Sequence, residues 1–179
     1  MQYRRDYTHG ASYFFTLVTF HRKPLFDQPE RVADLRRAFS EEMARRPFYI
    51  DAIVIMPDHI HAIWTLPLTD ADYSIRWRNI KRTFTLAIPL DQRPKVFGSR
   101  QRKQEQAIWQ RRFWEHRLRD EKDFNQHVDY IHYNPVKHGN VSVPVDWQYS
   151  SIHRYIRHKI FSPNWGSSPI ALFDDVGYE

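Results

Sequence analysis

The sequence has 179 residues, a length that favours one folded domain with a sizeable hydrophobic core. Lysine and arginine exceed aspartate and glutamate by 27 to 21, and this net charge of +6 favours a polyanionic partner such as nucleic acid. The absence of cysteine excludes disulfides and thiolate metal sites. The lack of a long apolar run or a signal-peptide core predicts a soluble, intracellular protein.

The first half of the chain predicts two strands with a helix between them. Residues 12–20 are β-formers with two apolar faces, a pattern typical of a central strand. Residues 29–46 show helical spacing of apolar residues, and Pro29 suits the first turn. Residues 48–56 predict the second strand, in which Asp51 is the one charged residue and is expected to face solvent.

The next stretch, residues 56–64, reads MPDHIHAIW and predicts a third strand. A turn at Pro57-Asp58 would pair it with the second strand as an antiparallel hairpin. Because side chains alternate along a strand, His59 and His61 project from one face, about 6.6 Å apart along the axis. Two imidazoles in this arrangement can bind one cation. The alternative is a core strand with two hydrogen-bonded histidines.

A second helix is predicted over residues 73–88, with Ser74 as its cap. The apolar residues spaced for its buried stripe are Ile75, Ile80, Phe84 and Ala87 or Ile88. The basic residues on the rest of its surface are Arg76, Arg78, Lys81 and Arg82. These charges form either a solvated helix face or a surface that follows nucleic-acid phosphates.

The following segment differs in composition from the rest of the chain. Residues 89–106 hold prolines, a glycine and a basic run, and predict a mobile basic loop. Residues 108–118 alternate aromatic side chains with arginine and predict a fourth strand. The element order β, α, β, β, α, β then predicts an α+β fold, with helices packed on an antiparallel sheet in a ferredoxin-like (split βαβ) layout.

A third helix is predicted over residues 120–134, with Asp120 as its cap. Tyr130 and Asn134 are four residues apart and therefore lie on one flank of this helix. Pro135 disfavours helical geometry at the preceding residue, which predicts that the helix ends at Asn134. From the pattern alone, Tyr130 is either an ordinary core tyrosine or a functional one. A last helix is predicted over residues 152–159.

Three segments occur in an order that resembles the REP-associated tyrosine transposases, which are single-tyrosine HUH endonucleases related to insertion-sequence transposases. The segments are PDHIHAIWTLP, IWQRRFWEHRLRDEKDF and VDYIHYNPVKHG. His59-Ile60-His61 supplies the HUH motif, and the third segment makes the resemblance specific. It implies a single HUH transposase-like catalytic domain over residues 1–165 and a C-terminal tail over residues 166–179.

The resemblance implies that Tyr130 is a nucleophile and that His59, His61 and Asn134 bind a divalent metal, Mn²⁺ or Mg²⁺. Such an enzyme cleaves and rejoins single-stranded or hairpin-flanking DNA, the repetitive extragenic palindromes, in DNA transposition and recombination. The expected product is a 5′-phosphotyrosine and a free 3′-hydroxyl. Two imidazoles and an amide suit Mn²⁺ better than Mg²⁺, which prefers oxygen ligands. Lys137 or the adjacent histidine is a candidate to assist the phenol.

The partner implied is DNA, single-stranded or in a hairpin, with no membrane. The residues expected to contact it are Arg4, Arg5, Arg78, Lys81 and Arg82, and binding is expected to weaken steeply with salt. The protein would act as a monomer or homodimer in the bacterial cytoplasm, associated with the nucleoid.

Two other function classes stay open at this point. One is a non-catalytic nucleic-acid-binding module that uses a ferredoxin-like sheet as a stacking platform. The other is a metal-dependent phosphodiesterase in which water attacks the phosphate. A covalent protein–DNA adduct distinguishes the tyrosine transferase from both.

Overall fold

Four strands form one sheet in the computed structural model, which describes residues 6–170. The order across the sheet is β2-β3-β1-β4, and each pairing is antiparallel. The strands are β1 (Ser12–Val18), β2 (Tyr49–Ile55), β3 (His59–Thr65) and β4 (Trp114–Arg117). This is the predicted ferredoxin-like arrangement, and the predicted hairpin joins β2 to β3.

The described part of the chain has five α-helices. They are α1 (Pro29–Arg45), α2 (Tyr73–Ala87), α3 (Gly98–Arg102), α4 (Glu121–Lys137) and α5 (Ile152–Arg157). The bounds of α1 and α2 agree with the sequence prediction to one residue, whereas α5 is two residues shorter. None of the helices in this range has the length and apolar character needed to cross a membrane. The predicted tail lies outside the described residues from residue 171 onward.

Alternation along β3 sends its side chains into two separate cores. Trp64 belongs to the core formed with α1 and α2, where its ring stacks on Trp77 at a centroid distance of 4.0 Å. Ile63 belongs to the second core, formed with α4. His59 and His61 lie four and two residues before Ile63, respectively, and share its face, because successive strand residues alternate. Both histidines therefore face α4.

β4 is shorter than the strand predicted over residues 108–118. Only its four residues pair with β1. Before it, Trp109 makes an isolated bridge to Thr19, and Ile108 and Trp109 are buried in the core with α1 and α2. Trp109 is therefore buried although its backbone is irregular, a situation that the alternating pattern does not distinguish from a strand.

Residues 89–106 contain the short helix α3 in place of the uniform loop predicted from the sequence. Glu105 accounts for part of this order. Its carboxylate is 2.9 Å from the guanidinium of Arg100 and 3.0 Å from that of Arg111. Glu105, the acidic residue that follows the basic run, therefore forms ion pairs with two arginines. A count of charges does not reveal these pairs.

α4 begins as predicted but ends later. The carboxylate of Asp120 accepts a hydrogen bond from the first turn and caps the helix. Beyond Asn134 the helix continues through Pro135 to Lys137. A proline removes one helical donor, but Asn134 and Pro135 are buried, and the His138 amide donates to the Asn134 carbonyl at 3.0 Å. Tertiary packing and this last hydrogen bond outweigh the local preference.

Two side chains of α2 differ from the prediction. The cap is Asp72, whose carboxylate accepts a hydrogen bond from the Ile75 amide at 2.8 Å, and not Ser74. Arg76 was expected on the polar surface, but it is 1% exposed and lies 2.6 Å from the carboxylate of Asp70. A fully buried arginine requires such a partner, and periodicity does not identify one.

The sequence predicts that Asp51 faces solvent, but in the structure this residue is half-buried. The hydroxyl of Thr65 donates to its carboxylate at 2.7 Å. The register between β2 and β3 shifts between Ile50 and Ala52, which turns Asp51 toward the neighbouring strand. Burial raises the pKa of Asp51.

The outer edge of β2 is covered by residues 149–154, here called the edge-covering segment. The amide of Ile55 donates to the Tyr149 carbonyl at 2.9 Å, and the amide of Ser151 donates to the Ile53 carbonyl at 2.8 Å. Backbone groups at the edge of the sheet thereby have partners within the chain. An unpaired edge strand would instead be a template for another chain.

Candidate active site

Four predicted site residues lie together between β3 and α4 and form what we call the histidine–tyrosine site: His59, His61, Tyr130 and Asn134. Nε2 of His59 is 3.2 Å from Oδ1 of Asn134. The ring centroids of His61 and Tyr130 are 5.2 Å apart. Each of the four residues is at most 2% exposed. The structure therefore brings the predicted nucleophile and the three predicted metal ligands into one buried cluster.

Hydrogen bonds on the far side of each ring orient the two imidazoles. Nδ1 of His59 lies 2.6 Å from Oδ1 of Asp58, and Nδ1 of His61 lies 2.9 Å from Oγ1 of Thr16. With Nδ1 engaged in both rings, Nε2 is the nitrogen that a cation would use. Partners of this kind set the tautomer and the ring angle of histidines that bind metals.

The charge state of Asp58 fixes which nitrogen of His59 carries a proton. Burial acts to raise the pKa of Asp58, but the hydrogen bond from His59 and the Arg22 guanidinium 3.1 Å away outweigh it. The pKa of Asp58 is therefore held below its usual range, and its carboxylate accepts the Nδ1 proton of His59. Nε2 of a neutral His59 is then a hydrogen-bond acceptor.

The facing atoms of His59 and Asn134 can share a cation. Nε2 of a neutral His59 and Oδ1 of Asn134 are both acceptors, and they lie 3.2 Å apart. A cation bound between them would satisfy both. Two imidazole nitrogens and an amide oxygen are a suitable donor set for a divalent ion of the Mn²⁺ class. The residues present therefore fit a divalent metal.

Lys137 contacts the phenol of Tyr130 from the last turn of α4. Its Nζ donates to Oη of Tyr130 at 3.2 Å and lies 4.7 Å from the ring centroid. Lys137 belongs to the helix because α4 extends beyond Asn134, and it contacts the phenol from that position. The ring of His138 is 5.1 Å from that of His59. Both residues named as candidates to assist the phenol therefore border the site.

The predicted DNA-binding residues are not next to the histidine–tyrosine site. Arg78, Lys81 and Arg82 lie on α2, which covers the opposite face of the sheet. They line a groove with residues 104–112, in which the Lys81 ammonium donates to the Gln110 carbonyl at 3.0 Å. Other basic residues of this groove that the sequence prediction did not name are Arg93, Arg100, Lys103, Arg111 and Arg112. Arg4 and Arg5 lie outside the described residues.

A second group of metal-binding side chains, not predicted from the sequence, joins β4 to α4. His116, Asp123 and His127 offer ligand atoms that all lie within 4.8 Å of one another. Burial acts to raise the pKa of Asp123, but hydrogen bonds from His116 and Arg119 outweigh it and lower the pKa to about 2. Burial lowers the pKa of His127. An ionised carboxylate and a neutral imidazole are thus present, and this group could hold a metal.

Comparison with known proteins identifies close relatives over nearly the whole chain. It is 45% identical over 167 residues to a Haemophilus influenzae protein assigned as a REP-associated tyrosine transposase, covering 93% of this chain and 94% of the relative. It is 41% identical over 164 residues to the REP-associated tyrosine transposase of Escherichia coli K12, covering 92% and 90%. No protein-family model matches the chain.

One solved structure shares the whole fold. It is a REP-associated tyrosine transposase bound to a REP hairpin, and it matches 99% of both chains with a TM-score of 0.79 at 37% sequence identity. The similarity includes the sheet and the helices that carry the histidine–tyrosine site.

Proposed function

Because this chain belongs to the family of REP-associated tyrosine transposases, we propose that it cleaves and rejoins DNA through a covalent bond to Tyr130. The observation that carries the proposal is that the Tyr130 phenol lies in one buried cluster with His59, His61 and Asn134. An ordinary core tyrosine has no need of two oriented imidazoles and an ammonium group beside it.

The three residues that would hold the divalent metal are His59, His61 and Asn134. When bound, the metal would polarise the scissile phosphate and neutralise charge on it. The protein's own contribution is positional. Asp58 and Thr16 hold the imidazole rings at fixed angles, and α4 holds the phenol beside them.

In the proposed cleavage step, the oxygen of Tyr130 attacks the phosphorus atom and loses its proton to solvent. The bond between phosphorus and the 3′-oxygen breaks, and that oxygen leaves with the electron pair and takes up a proton. A phenol with a pKa near 10 is a weak nucleophile without assistance. The Lys137 ammonium, 3.2 Å from the phenol oxygen, favours its ionised form.

The same contact serves the rejoining step. A free 3′-hydroxyl attacks the phosphotyrosine, the phosphodiester forms again, and the phenolate leaves. Lys137 would stabilise that leaving group as it stabilises the nucleophile. A hydrolase that used water would release a free 5′-phosphate and could not reverse the step without another energy source.

The substrate we propose is the hairpin of a repetitive extragenic palindrome, with its flanking single strand. The similar solved structure is bound to a REP hairpin, and the net charge of +6 supports a DNA partner. Arg78, Lys81 and Arg82 are the described residues proposed to contact DNA, and Arg4 and Arg5 are proposed with them. The basic groove on α2 supports this assignment.

We further propose that residues 1–165 act as one catalytic domain in the bacterial cytoplasm, at the nucleoid. The described residues give one chain a complete histidine–tyrosine site, since β3 and α4 of the same chain meet there. This supports an active monomer, and a homodimer that exchanges α4 is not required.

The test is a denaturing gel with a REP hairpin labelled on the strand downstream of the cleavage site. We expect the wild-type chain to carry labelled DNA covalently and Tyr130→Phe to lose the adduct while still binding DNA. Tyr133→Phe, on the same helix, is the matched control and should retain it. Cleavage without an adduct would indicate a hydrolase, and binding without cleavage would indicate a non-catalytic module.

A further inference from the structure

A second cluster of metal-binding side chains lies one aromatic ring away from the histidine–tyrosine site. We propose that His116, Asp123 and His127 form a separate site for a transition-metal ion of the Zn²⁺ type. The Phe14 ring packs between the two groups, 4.7 Å from the ring of His127 and 5.4 Å from the ring of His61. An ion in this second cluster would therefore be distinct from the one at the HUH motif.

Two of the ligand-atom spacings are close to those around a tetrahedral ion. Oδ1 of Asp123 is 3.3 Å from Nε2 of His116 and 3.1 Å from Nδ1 of His127, and Nε2 of His116 is also 2.9 Å from Oδ2. Nitrogen and oxygen ligands bind Zn²⁺ at about 2.0–2.2 Å, which separates neighbouring tetrahedral ligands by about 3.3–3.5 Å. Both spacings to Oδ1 are within a few tenths of an ångström of this range, and the ligand atoms of the three residues all lie within 4.8 Å of one another.

The second oxygen of Asp123 already has a cationic partner. Nε of Arg119 donates to Oδ2 at 3.0 Å, and the Arg119 amide contacts the same oxygen at 3.1 Å. The Arg119 side chain is 72% exposed, so water screens its repulsion of a nearby ion. A carboxylate has lone pairs for both partners. Asp123 can therefore keep its arginine and bind an ion through Oδ1.

The His127 ring directs its Nδ1 into the cluster. His127 is 3% exposed, and Nδ1 lies 2.8 Å from the Asp123 carbonyl oxygen and 3.1 Å from Oδ1 of the same residue. An ion bound at Nδ1 would take the place of the proton that a neutral ring directs at these oxygens. The ring is therefore already oriented for binding through Nδ1.

The position of the cluster suggests what the ion would do. His116 lies on β4, whereas Asp123 and His127 lie in the first half of α4, the helix that carries Tyr130. The ion would therefore cross-link the sheet to this helix. The His116 side chain is 27% exposed and gives the ion a path from solvent.

The test measures Zn²⁺ binding in a chain whose HUH motif is disabled. In the variant His59→Ala/His61→Ala, we expect titration calorimetry to detect one Zn²⁺ per chain and Zn²⁺ to raise the melting temperature. Adding His116→Ala should abolish both effects. Adding His158→Ala, an exposed histidine at the end of α5, is the matched control and should leave one ion bound.

The proposal would be overturned if the His59→Ala/His61→Ala variant bound no Zn²⁺, or if adding His116→Ala left Zn²⁺ binding unchanged. If circular dichroism shows that the His116→Ala form is unfolded, Co²⁺ is used in the double variant instead. Strong visible absorption, typical of tetrahedral Co²⁺, supports the site, and weak absorption rejects it. Neither measurement involves DNA, so both are independent of strand transfer by Tyr130.

Discussion

Lys137 is the side chain that we propose sets the reactivity of the buried Tyr130 phenol. Its ammonium donates to the Tyr130 oxygen at 3.2 Å. We expect Lys137→Met to slow adduct formation on a REP hairpin by roughly 10²-fold, the typical cost of removing one donor to a charged reacting oxygen. Lys137→Arg should keep most of the rate, because it keeps the charge. Single-turnover adduct formation measures all three chains.

Lys122→Met is the control for this series, since it removes an exposed lysine from the first turn of the same helix. It should react at the wild-type rate. The Lys137→Met chain should also gain more from a rise in pH than the wild type, because solvent hydroxide can then ionise the phenol. A Lys137→Met chain as fast as the wild type would contradict the proposed role.

At the proposed metal site, the choice of metal would also be decided by individual ligands. Two imidazoles and one amide bind Mn²⁺ better than Mg²⁺, because Mg²⁺ prefers oxygen donors and retains its waters. We therefore expect faster cleavage with saturating Mn²⁺ than with saturating Mg²⁺, measured as initial rates on one hairpin. Equal or faster cleavage with Mg²⁺ would reject this ligand argument.

At this scale the sequence predicts the placement of the proposed ligands better than that of their orienting partners. The i, i+2 spacing of His59 and His61 predicts a shared face, and the structure confirms it. Asp58 is adjacent in sequence, although adjacency alone does not show that it bonds Nδ1 of His59. Thr16 lies 45 residues before His61 and meets it only through the register of β1 and β3. Sequence periodicity contains no information about that register.

At the scale of elements, predictability follows the length of the periodic pattern. α1 and α2 repeat their apolar stripes over several turns, so their bounds agree with the prediction to one residue. β4 has only four paired residues, and Trp109, buried before it, makes only an isolated bridge to Thr19. α4 passes Pro135 because packing around buried Asn134 outweighs a local rule. Local propensity cannot anticipate such tertiary effects.

The tie between β4 and α4 makes a prediction about stability and pH. The pKa of Asp123 is about 2 in the folded chain, against about 3.9 when unfolded. Its ionised form therefore contributes about 2 kcal/mol, fully present above about pH 4 and lost as the pH falls toward 2. We expect Asp123→Asn to lower the free energy of unfolding by about that amount at pH 7, in urea with EDTA, and by little near pH 2.

Glu121→Gln is the control for the stability prediction, because Glu121 is an exposed acid in the same helical turn. Its effect should be small at both pH values. A loss of stability in Asp123→Asn that is the same at pH 7 and pH 2 would show that the carboxylate's charge is not the cause.

At the scale of the whole molecule, the sheet lies between the two groups of residues predicted to act on DNA. The histidine–tyrosine site lies on the α4 side, and Arg78, Lys81 and Arg82 lie on the α2 side. A DNA strand that contacts both must therefore pass an edge of the sheet. Alternation predicts that β3 has two faces, but it does not predict which helix covers each one.

This separation can be tested by salt dependence. Removing Arg78, Lys81 and Arg82 together as glutamines should weaken hairpin binding and reduce the slope of log K against log salt by roughly 2, at about 0.7 per single-strand phosphate. Fluorescence anisotropy measures the slope. The control replaces Arg36, Arg37 and Arg45 of α1, which removes the same charge elsewhere. Equal slopes in the two triple variants would indicate that only net charge matters.

The edge-covering segment has a consequence for aggregation when the protein begins to unfold. While residues 149–154 remain in place, β2 offers no open backbone ladder, so another chain cannot add a strand there. If this segment detaches before the sheet unfolds, the first species to form keeps the sheet intact. It exposes the unpaired backbone groups of β2, to which another chain can bind. Resistance to aggregation would then depend on residues 149–154, which include the first residues of α5, and not on the strength of the two cores.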